Sequence, residues 1–184
     1  MKILKFLVMG FVVVIAVYVV MCILGPKSFQ TEKSIVVNAS PQTVFALTSD
    51  FNKWSKWSPW QQKDAQMKNM ISGNPGEIGH KMIWESESQG SGEQEIVEVK
   101  LDEMIKTKLS FKDWDEVSYA SFFITPQGES TKVSWTMEGS EIPFMMRGMM
   151  VAFNAMGALE EDYEQGLSAI KKLSEEVRLD GYTF

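Results

Sequence analysis

The feature that most constrains this chain is an uninterrupted apolar segment near its amino terminus. Residues 6–24 contain no charged side chain. A helix of this length rises about 28 Å at 1.5 Å per residue, close to the thickness of the hydrocarbon core of a bilayer. The main alternative is a cleavable secretory signal, whose apolar region is shorter and ends at small residues. Residues 21–26 (MCILGP) offer no such site, and Met21 before Cys22 does not suit a lipoprotein. We therefore expect an uncleaved transmembrane anchor over residues 1–25.

The charges that flank this segment predict its orientation. Lys2, Lys5 and the amino terminus precede the segment, whereas Lys27 and Lys33 follow it and are diluted by Glu32. Positively charged flanks favour the cytoplasmic side. We therefore expect a single-pass protein of the cell (inner) membrane, with a cytoplasmic amino terminus and the remaining chain on the extracytoplasmic side.

The composition excludes several classes of partner and cofactor. The chain has 18 Lys+Arg and 24 Asp+Glu; because Lys2 and Lys5 are the only charged residues among the first 25, the rest holds 16 basic against 24 acidic residues, a net charge of −8. Such a body repels phosphate backbones, so no nucleic acid is expected as a partner. With one cysteine and one histidine, neither a disulfide framework nor a Cys/His metal site is expected, and no cofactor is expected.

The start of the domain is predicted to form a strand followed by short helices. Residues 32–37 form a β-branched run that predicts the first strand. Ser40 and Pro41 are the residue types preferred at a helix start, and they predict a helix. A second short helix is expected to carry Trp54 and Trp57, with Ser58-Pro59 ending it.

The middle of the chain alternates between apolar and polar residues, with turn signals in between. This pattern predicts strands over residues 78–87, 94–101, 105–111, 117–125 and 133–137. The strand over 117–125 is apolar on both faces, which is typical of a central strand. The inner row of the other strands is expected to contain Met82, Trp84, Val97, Val99, Leu101, Leu109, Phe111, Val133, Trp135 and Met137.

After Pro143 the apolar residues recur every three or four positions, from Met149 and Phe153 through Tyr163 to Val177. This spacing predicts one long amphipathic helix, with Gly157 as the candidate point of interruption. The element order predicts an α+β fold in which a curved antiparallel sheet wraps a long C-terminal helix. The expected organisation is an anchor over 1–25, a linker over 26–31 and one domain over 32–184.

Several stretches together resemble a known superfamily. They are residues 40–45 (SPQTVF), Asp50 with 54–60 (WSKWSPW), 76–79 (GEIG), 131–135 (TKVSW) and 164–167 (EQGL). These stretches are similar to the helix-grip proteins, which include START lipid-transfer domains, the birch-pollen allergen group and the polyketide cyclase/dehydrase-like (SRPBCC) proteins. The likeness covers residues 32–178 and is closest to bacterial cyclase-like members with an N-terminal anchor. It implies a cavity for lipids or other apolar molecules between sheet and helix, and it implies no shared catalytic set.

The resemblance and the inner rows together give the candidate ligand-binding residues. They are Trp60, Met82, Trp84, Val97, Val99, Leu109, Phe111, Trp135, Met145, Met149 and Phe153. If the interior is filled, the same residues are simply core. Trp54, Trp57 and Trp60 either form an aromatic wall or membrane-interface foot, or pack the short helices against the sheet. Residues 144–151 (FMMRGMMV) either gate the cavity or contact the bilayer, or belong to the core with Arg147 reaching outward.

Few residues suit catalysis. His80 shares a predicted face with Met82 and Trp84, so it is either a general base in the cavity or a structural residue. The acidic pairs and runs at 93–95 and 160–162 are either solvated faces or, in the second case, the source of a buried carboxylate.

Three hypotheses follow from these readings. The first is a membrane-tethered, non-enzymatic carrier for a lipid or another apolar small molecule. The second is a cyclase- or dehydratase-like enzyme, and the third is a protein-interaction module of the cell envelope.

Overall fold

The computed structural model of the chain describes residues 2–112, 116–139 and 141–180. Within them, an amino-terminal helix precedes an α+β domain in which one antiparallel sheet packs against helices. This arrangement confirms the predicted fold class.

The amino-terminal helix, α1 (Lys2–Leu24), is apolar on every side. Its segment Ile3–Leu24 has a mean hydropathy of 3.1, and 6% of it is buried. It is the one helix of the described residues that is long and apolar enough to cross a membrane. A helix that is apolar all round needs an apolar environment, and the domain provides one only for the last turns of α1.

The strands of the described residues form one antiparallel sheet in the order β1-β7-β6-β5-β4-β3-β2. They are β1 (Phe29–Val37), β2 (Lys68–Ser72), β3 (Lys81–Glu85), β4 (Gly92–Lys100), β5 (Met104–Phe111), β6 (Val117–Gln127) and β7 (Ser130–Gly139). Strands β2 to β7 pair as a continuous meander, and the first strand completes the sheet beside the last.

Short helices follow β1 and cover one end of the sheet. The first, α2 (Pro41–Thr48), is capped as predicted, because Ser40 Oγ accepts a hydrogen bond from the Thr43 backbone N–H at 3.2 Å. A 3-10 helix over Phe51–Lys56 follows, with Asp50 as its cap. Ser58 and Pro59 begin a further helix, α3 (Pro59–Lys63), instead of only ending the previous one.

The C-terminal region contains two helices where the periodicity predicted one. They are α4 (Phe144–Ala152) and α5 (Ala155–Asp180). The break lies at residues 153–154 and not at Gly157. Asn154 has a φ of 47°, a left-handed conformation that asparagine tolerates better than most residues. Only α5 continues along the sheet, where Tyr163, Leu167 and Ile170 are buried.

The core is tightly filled in the half of the sheet that α2 and the 3-10 helix cover. Five branched aliphatic side chains at most 2% exposed form its floor: Val37, Ile96, Ile105, Ile124 and Val133. The side chains of α2 and the 3-10 helix close it from above, with Val44, Leu47 and Phe51 all buried.

A β-bulge changes the inner row of β4. Its register against β5 shifts between Ile96 and Glu98, so Val97 is the extra residue that reverses the alternation. Ile96 is fully buried before the bulge, and Val99 packs against the core after it. Val97 is therefore not part of the inner row, and the prediction that Leu101 faces inward is wrong, since its side chain is 74% exposed.

Three further elements differ from the sequence-based predictions. The first strand begins at Phe29, inside the predicted linker. Strand β2 was not predicted, because its five residues bury no side chain completely and give a weak pattern. The outer face of β6 is not covered by another layer, since Tyr119 and Phe123 are 36% and 45% exposed.

We predict that a larger side chain at Gly166 destabilises the fold. A Cβ atom there would lie 2.8 Å from Trp135 Cζ3 and 3.3 Å from Pro59 Cδ, so Gly166→Leu overpacks the contact between α5 and the sheet. We expect a loss of about 2 kcal/mol in the free energy of unfolding, although leucine is the better helix former. Urea unfolding of the full chain in detergent micelles measures it. Ser168→Leu, at an exposed position of the same helix, is the matched control; equal stability of the two variants would contradict the prediction.

Candidate ligand-binding site

A cavity of about 200 Å³ lies between the sheet and the first part of α5. The residues that line it are Trp54, Ser58, Trp60, Gln61, Met67, Met82, Trp84, Gln89, Gln94, Leu109, Phe111, Ala120, Trp135, Met137, Leu159 and Tyr163. A dry apolar cavity of about 150 Å³ is large enough to hold one benzene ring. The cavity therefore has room for a compact molecule or for part of a longer one.

One wall of the cavity is an aromatic stack that joins the sheet to α5. Trp135 of β7 lies between two rings that are nearly parallel to it. The Tyr163 ring centroid is 3.9 Å away at 14°, and the Phe122 centroid is 4.8 Å away at 22°. Trp57 and Trp60 contact Trp135 edge-on, at 5.5 and 5.8 Å. Such offset and edge-to-face pairs fix the positions of the rings, so this wall is preorganised.

The three tryptophans of the 54–60 stretch divide into two roles. Trp54 and Trp57 are at most 2% exposed, and their indole N–H groups donate to the carbonyls of Thr48 and Leu47 at the end of α2. These bonds satisfy carbonyls that a helix end leaves without intrahelical partners, which supports the packing interpretation for this pair. Trp60 is half-buried and lines the cavity, so it fits the aromatic-wall interpretation.

The polar groups of the cavity are few and uncharged. Tyr163 is 1% exposed, and its hydroxyl has no hydrogen-bond partner among the described residues. Burial raises the pKa of Tyr163, so the phenol stays protonated and keeps a hydrogen to donate. Gln94 is held by a bond from its amide nitrogen to Thr107 Oγ1 at 2.8 Å, and Thr107 in turn donates to the Ala120 carbonyl.

The lone histidine does not line the cavity. His80 is fully buried beside the 3-10 helix, stacked on Phe51 at 4.8 Å. Its Nε2 accepts the Phe51 backbone N–H at 3.1 Å, and its Nδ1 lies 3.0 Å from the Ser72 carbonyl, to which it donates. Because both ring nitrogens are engaged, His80 is a structural residue of the described fold and is not placed as a general base.

The acidic runs also lie outside the cavity. Asp162 is buried but forms an ion pair with Lys63, while Glu160 pairs with Lys33 at 2.9 Å. Glu95 pairs with Lys81 on the outer face of the sheet. No charged side chain of the described residues lines the cavity. Nor do those residues include a group of three or more His, Cys, Asp or Glu side chains placed to hold a metal ion.

Six of the eleven candidate ligand-binding residues surround the cavity: Trp60, Met82, Trp84, Leu109, Phe111 and Trp135. The other five do not line it. Val97 is the bulge residue, and Val99 packs in the filled part of the core. Met145, Met149 and Phe153 are 59%, 43% and 75% exposed, because the helix breaks before α5 begins and turns these residues away from the sheet.

The sequence-based candidates omitted several lining residues. Gln94 was overlooked because a polar side chain in an alternating strand is assigned to the outer face of the sheet. Met67 and Gln89 lie in connections, which carry no periodic signal. Leu159 and Tyr163 were on the predicted apolar face of the terminal helix, and their spacing of four residues could have identified them.

The rim of the cavity is tied together by one carboxylate. Asp64, at the end of α3, accepts hydrogen bonds from the hydroxyls of Ser86 at 2.5 Å and Ser88 at 3.2 Å, and from the Gln66 backbone N–H at 2.9 Å. The two serines belong to the β3–β4 connection, where Ser86 Oγ also accepts the Gln89 N–H. The hydrogen bond from Ser86, followed by that from Gln66, lowers the pKa of Asp64.

The fold and the cavity define a ligand-binding domain of the SRPBCC type. The sequence of residues 28–175 matches the family described as "Polyketide cyclase / dehydrase and lipid transport". The chain therefore belongs to this family, which confirms the resemblance inferred from the sequence. No curated protein sequence shows significant similarity to the chain.

Solved structures share the fold at low sequence identity. StfQ, a di-domain ARO/CYC from the steffimycin biosynthetic pathway, superposes with a TM-score of 0.64 and 11% identity over 82% of this chain and 51% of StfQ. Protein MLL2253 from Mesorhizobium loti gives 0.59 and 16% over 85% of this chain and all of MLL2253. XoxI from Bacillus cereus gives 0.58 and 12% over 81% and 97%. At these identities the similarity establishes the fold.

We predict that the rim contact of Asp64 is lost in acid. The pKa of Asp64 in the folded protein is lower than its ordinary value of 3.8. Its contribution to stability is therefore fully present above that value and disappears as the pH falls through the lower, folded-state pKa. Asp64→Asn should lower the melting temperature at neutral pH, and its difference from the wild type should shrink in acid.

Thermal unfolding of the full chain in detergent micelles across the acid range measures this difference. Glu87→Gln removes an exposed carboxylate from the same connection and serves as the control. A deficit of Asp64→Asn that stays constant down to the lowest pH would show that the carboxylate charge is not what holds the rim.

Proposed function

We propose that this protein is a membrane-anchored, non-enzymatic carrier for a compact, uncharged and largely apolar molecule. The observation that carries the proposal is the cavity itself, which is lined by aromatic and aliphatic side chains and by no charged group of the described residues. Burial of apolar surface stabilises such a ligand by about 25 cal/mol per Å². Membership of a family named for cyclases, dehydrases and lipid transport supports a small apolar ligand.

The polar groups of the cavity define the ligand further. Tyr163 supplies a phenol hydroxyl to the aromatic wall, and the Trp135 indole N–H beside it is a buried donor without a hydrogen-bond partner among the described residues. A ligand carbonyl, ether or hydroxyl oxygen at this point would accept a hydrogen bond. An ionised ligand is disfavoured, because no described residue of the lining carries an opposite charge that would offset its desolvation.

Carriage is favoured over catalysis by the lack of a suitable acid or base. Among the described residues that line the cavity, Tyr163 is the one titratable side chain, and its raised pKa keeps it protonated at neutral pH. General acid–base catalysis is most efficient when the pKa lies near the working pH. The name of the family alone therefore does not favour cyclase or dehydratase chemistry for this chain.

The helix α1 provides the anchor in this proposal. It has the length and hydropathy of a membrane span, and Lys2 and Lys5 precede it. Beyond it, Lys33 is paired with Glu160 and Glu164, at 2.9 and 2.8 Å. The positive charge that follows the span is thus partly neutralised, which favours a cytoplasmic amino terminus and an extracytoplasmic domain. A tether next to the bilayer raises the local concentration of molecules that partition there.

We predict that filling the cavity abolishes binding without unfolding the protein. Ala120 lines the cavity from β6, so Ala120→Leu occupies part of the ligand volume. Native mass spectrometry of the full chain, released from detergent after incubation with 2-acetylnaphthalene, should show a one-to-one adduct for the wild type and none for the variant. Thr125→Leu, at an exposed outer position of the same strand, should keep the adduct. Absence of any apolar adduct on the wild type, whether added or co-purified, would contradict the carrier function.

We also predict that the Tyr163 hydroxyl recognises an acceptor on the ligand. Tyr163→Phe keeps the aromatic stack but removes the donor, and loss of one hydrogen bond costs about 0.5–1.5 kcal/mol. The affinity for 2-acetylnaphthalene should therefore fall about two- to tenfold, as measured by titration with the same mass-spectrometric readout. The affinity for 2-ethylnaphthalene, which lacks the carbonyl, should not change. An equal loss for both compounds would assign the effect to packing.

A further inference from the structure

The helix α4 exposes more apolar surface than the other helices of the domain described here. Its sequence, FMMRGMMVA, contains no acidic residue. Five large apolar side chains in and directly after it are at least 43% exposed: Phe144, Met145, Met149, Val151 and Phe153. Its one charge, Arg147, is turned back onto the chain, where Nε donates to the Ile142 carbonyl at 2.9 Å. A contiguous apolar patch of this kind marks an interaction surface.

The other side of α4 packs directly against the end of α1. The Tyr18 hydroxyl donates to the Met145 carbonyl at 2.7 Å. A Cβ atom at Gly148 would lie 2.6 Å from Cys22 Sγ, and one at Gly25 would lie 2.8 Å from Arg147 Cβ. The two helices thus approach closely through glycines, as helices do in membranes. The contact also explains why Cys22 is fully buried and Tyr18 and Met21 are half-buried, whereas the other described side chains of α1 are exposed.

The position of this contact along α1 gives the depth of α4. Tyr18 lies six residues before Leu24, which corresponds to about 9 Å along the helix axis. When α1 spans a bilayer with Leu24 at the end of its apolar segment, α4 lies beside the last turns, inside that boundary. Helices that lie in the plane of the membrane bury their apolar face roughly 5–10 Å deep. The depth of α4 and its apolar exposed face therefore both indicate that this surface contacts the acyl chains of a phospholipid bilayer.

The strand register shows which end of the sheet lies next to α1 and α4, and therefore next to the lipid. The register partners at or next to the strand ends on the side of α1 are Phe29, Gly139, Ser118, Phe111, Gly92 and Trp84. Phe111 and Trp84 are cavity residues, and their rings pack edge-to-face at 5.7 Å. The filled half of the core lies at the opposite edge. The cavity therefore occupies the half of the domain nearest to α1 and α4.

We propose that α4 is an in-plane membrane helix, seated in the interfacial region of the bilayer, that holds the cavity-bearing edge of the sheet against the lipid. This inference rests on the anchoring by α1 in the proposed function and adds a second membrane contact to it. With α4 in this position, an apolar molecule would pass between the bilayer and the cavity with little exposure to water. It assigns the exposed patch to lipid instead of to a protein partner.

The test measures the depth of α4 in phosphatidylcholine vesicles that contain some phosphatidylglycerol. The full chain carries Cys22→Ala and one new cysteine, Val151→Cys or, in a second protein, Met149→Cys, labelled with the fluorophore NBD. Nitroxide lipids with the spin label near the headgroup or near the acyl-chain end act as shallow and deep quenchers. Ile15→Cys, in the middle of α1, is the control for a label deep in the bilayer. Glu129→Cys, in the β6–β7 turn at the opposite end of the sheet, is the control for a label in water.

We expect both α4 labels to show blue-shifted emission and to be quenched more strongly by the shallow nitroxide than by the deep one. The Ile15 label should be quenched most by the deep nitroxide, and the Glu129 label by neither. If the Ile15 label is quenched and the α4 labels are not, α1 spans the bilayer but α4 does not lie in its interfacial region, which overturns the inference. If the α4 labels are blue-shifted without quenching, a protein surface covers them, which also overturns the inference. If no label is quenched, the proposed anchor itself fails.

Discussion

The contact between Trp135 and Tyr163 is the interaction on which the rest of the domain depends. It joins β7, which lies between β1 and β6 in the sheet, to the long helix α5 that packs against the sheet, at a ring separation of 3.9 Å. The close approach requires Gly166 one turn further along α5, because any side chain there would meet the Trp135 ring. Phe122 supports the indole from the other side, and Trp57 and Trp60 contact its edge. The helix is therefore positioned by aromatic stacking, which fixes both distance and orientation.

The same stack separates a filled half of the interior from an open one. On one side, branched aliphatic side chains such as Val37, Ile96 and Val133 are fully buried together with Trp57. On the other side, large rings such as Trp84 and Phe111 contact each other edge-on and leave space between them. Rigid rings cannot collapse into a void as methionine or leucine side chains do. Six of the sixteen lining residues are aromatic, and the stacked rings of Phe122, Trp135 and Tyr163 give one wall a fixed, flat shape that suits a flat apolar ligand.

The fold was predictable because its signals are local and repeated. Alternation located most strands, Ser40 and Pro41 located α2, and the inner positions Met82, Trp84, Val133, Trp135 and Met137 were assigned correctly. The errors arose where one residue changes the phase of a pattern. Val97 adds a residue to β4, so Gln94 enters the cavity. Leu101 is exposed because β4 ends at Lys100 and Leu101 lies in the turn that follows. Asn154 ends one helical phase and starts another, so Met145, Met149 and Phe153 are exposed and do not line the cavity. A bulge or a single left-handed residue leaves no periodic trace in the sequence.

The break at Asn154 also lets two consecutive helices serve two different environments. Had the helix continued from Phe144 in one phase, its apolar stripe would have run along the sheet, and the charged face of α5 would have extended onto the contact with α1. The break gives α4 an independent direction, so that Gly148 reaches Cys22 and the methionines face away from the sheet. The first three turns of α5 then supply Leu159 and Tyr163 to the cavity. The helix that contacts α1 and the helix that carries the proposed hydrogen-bond donor are thus adjacent in sequence.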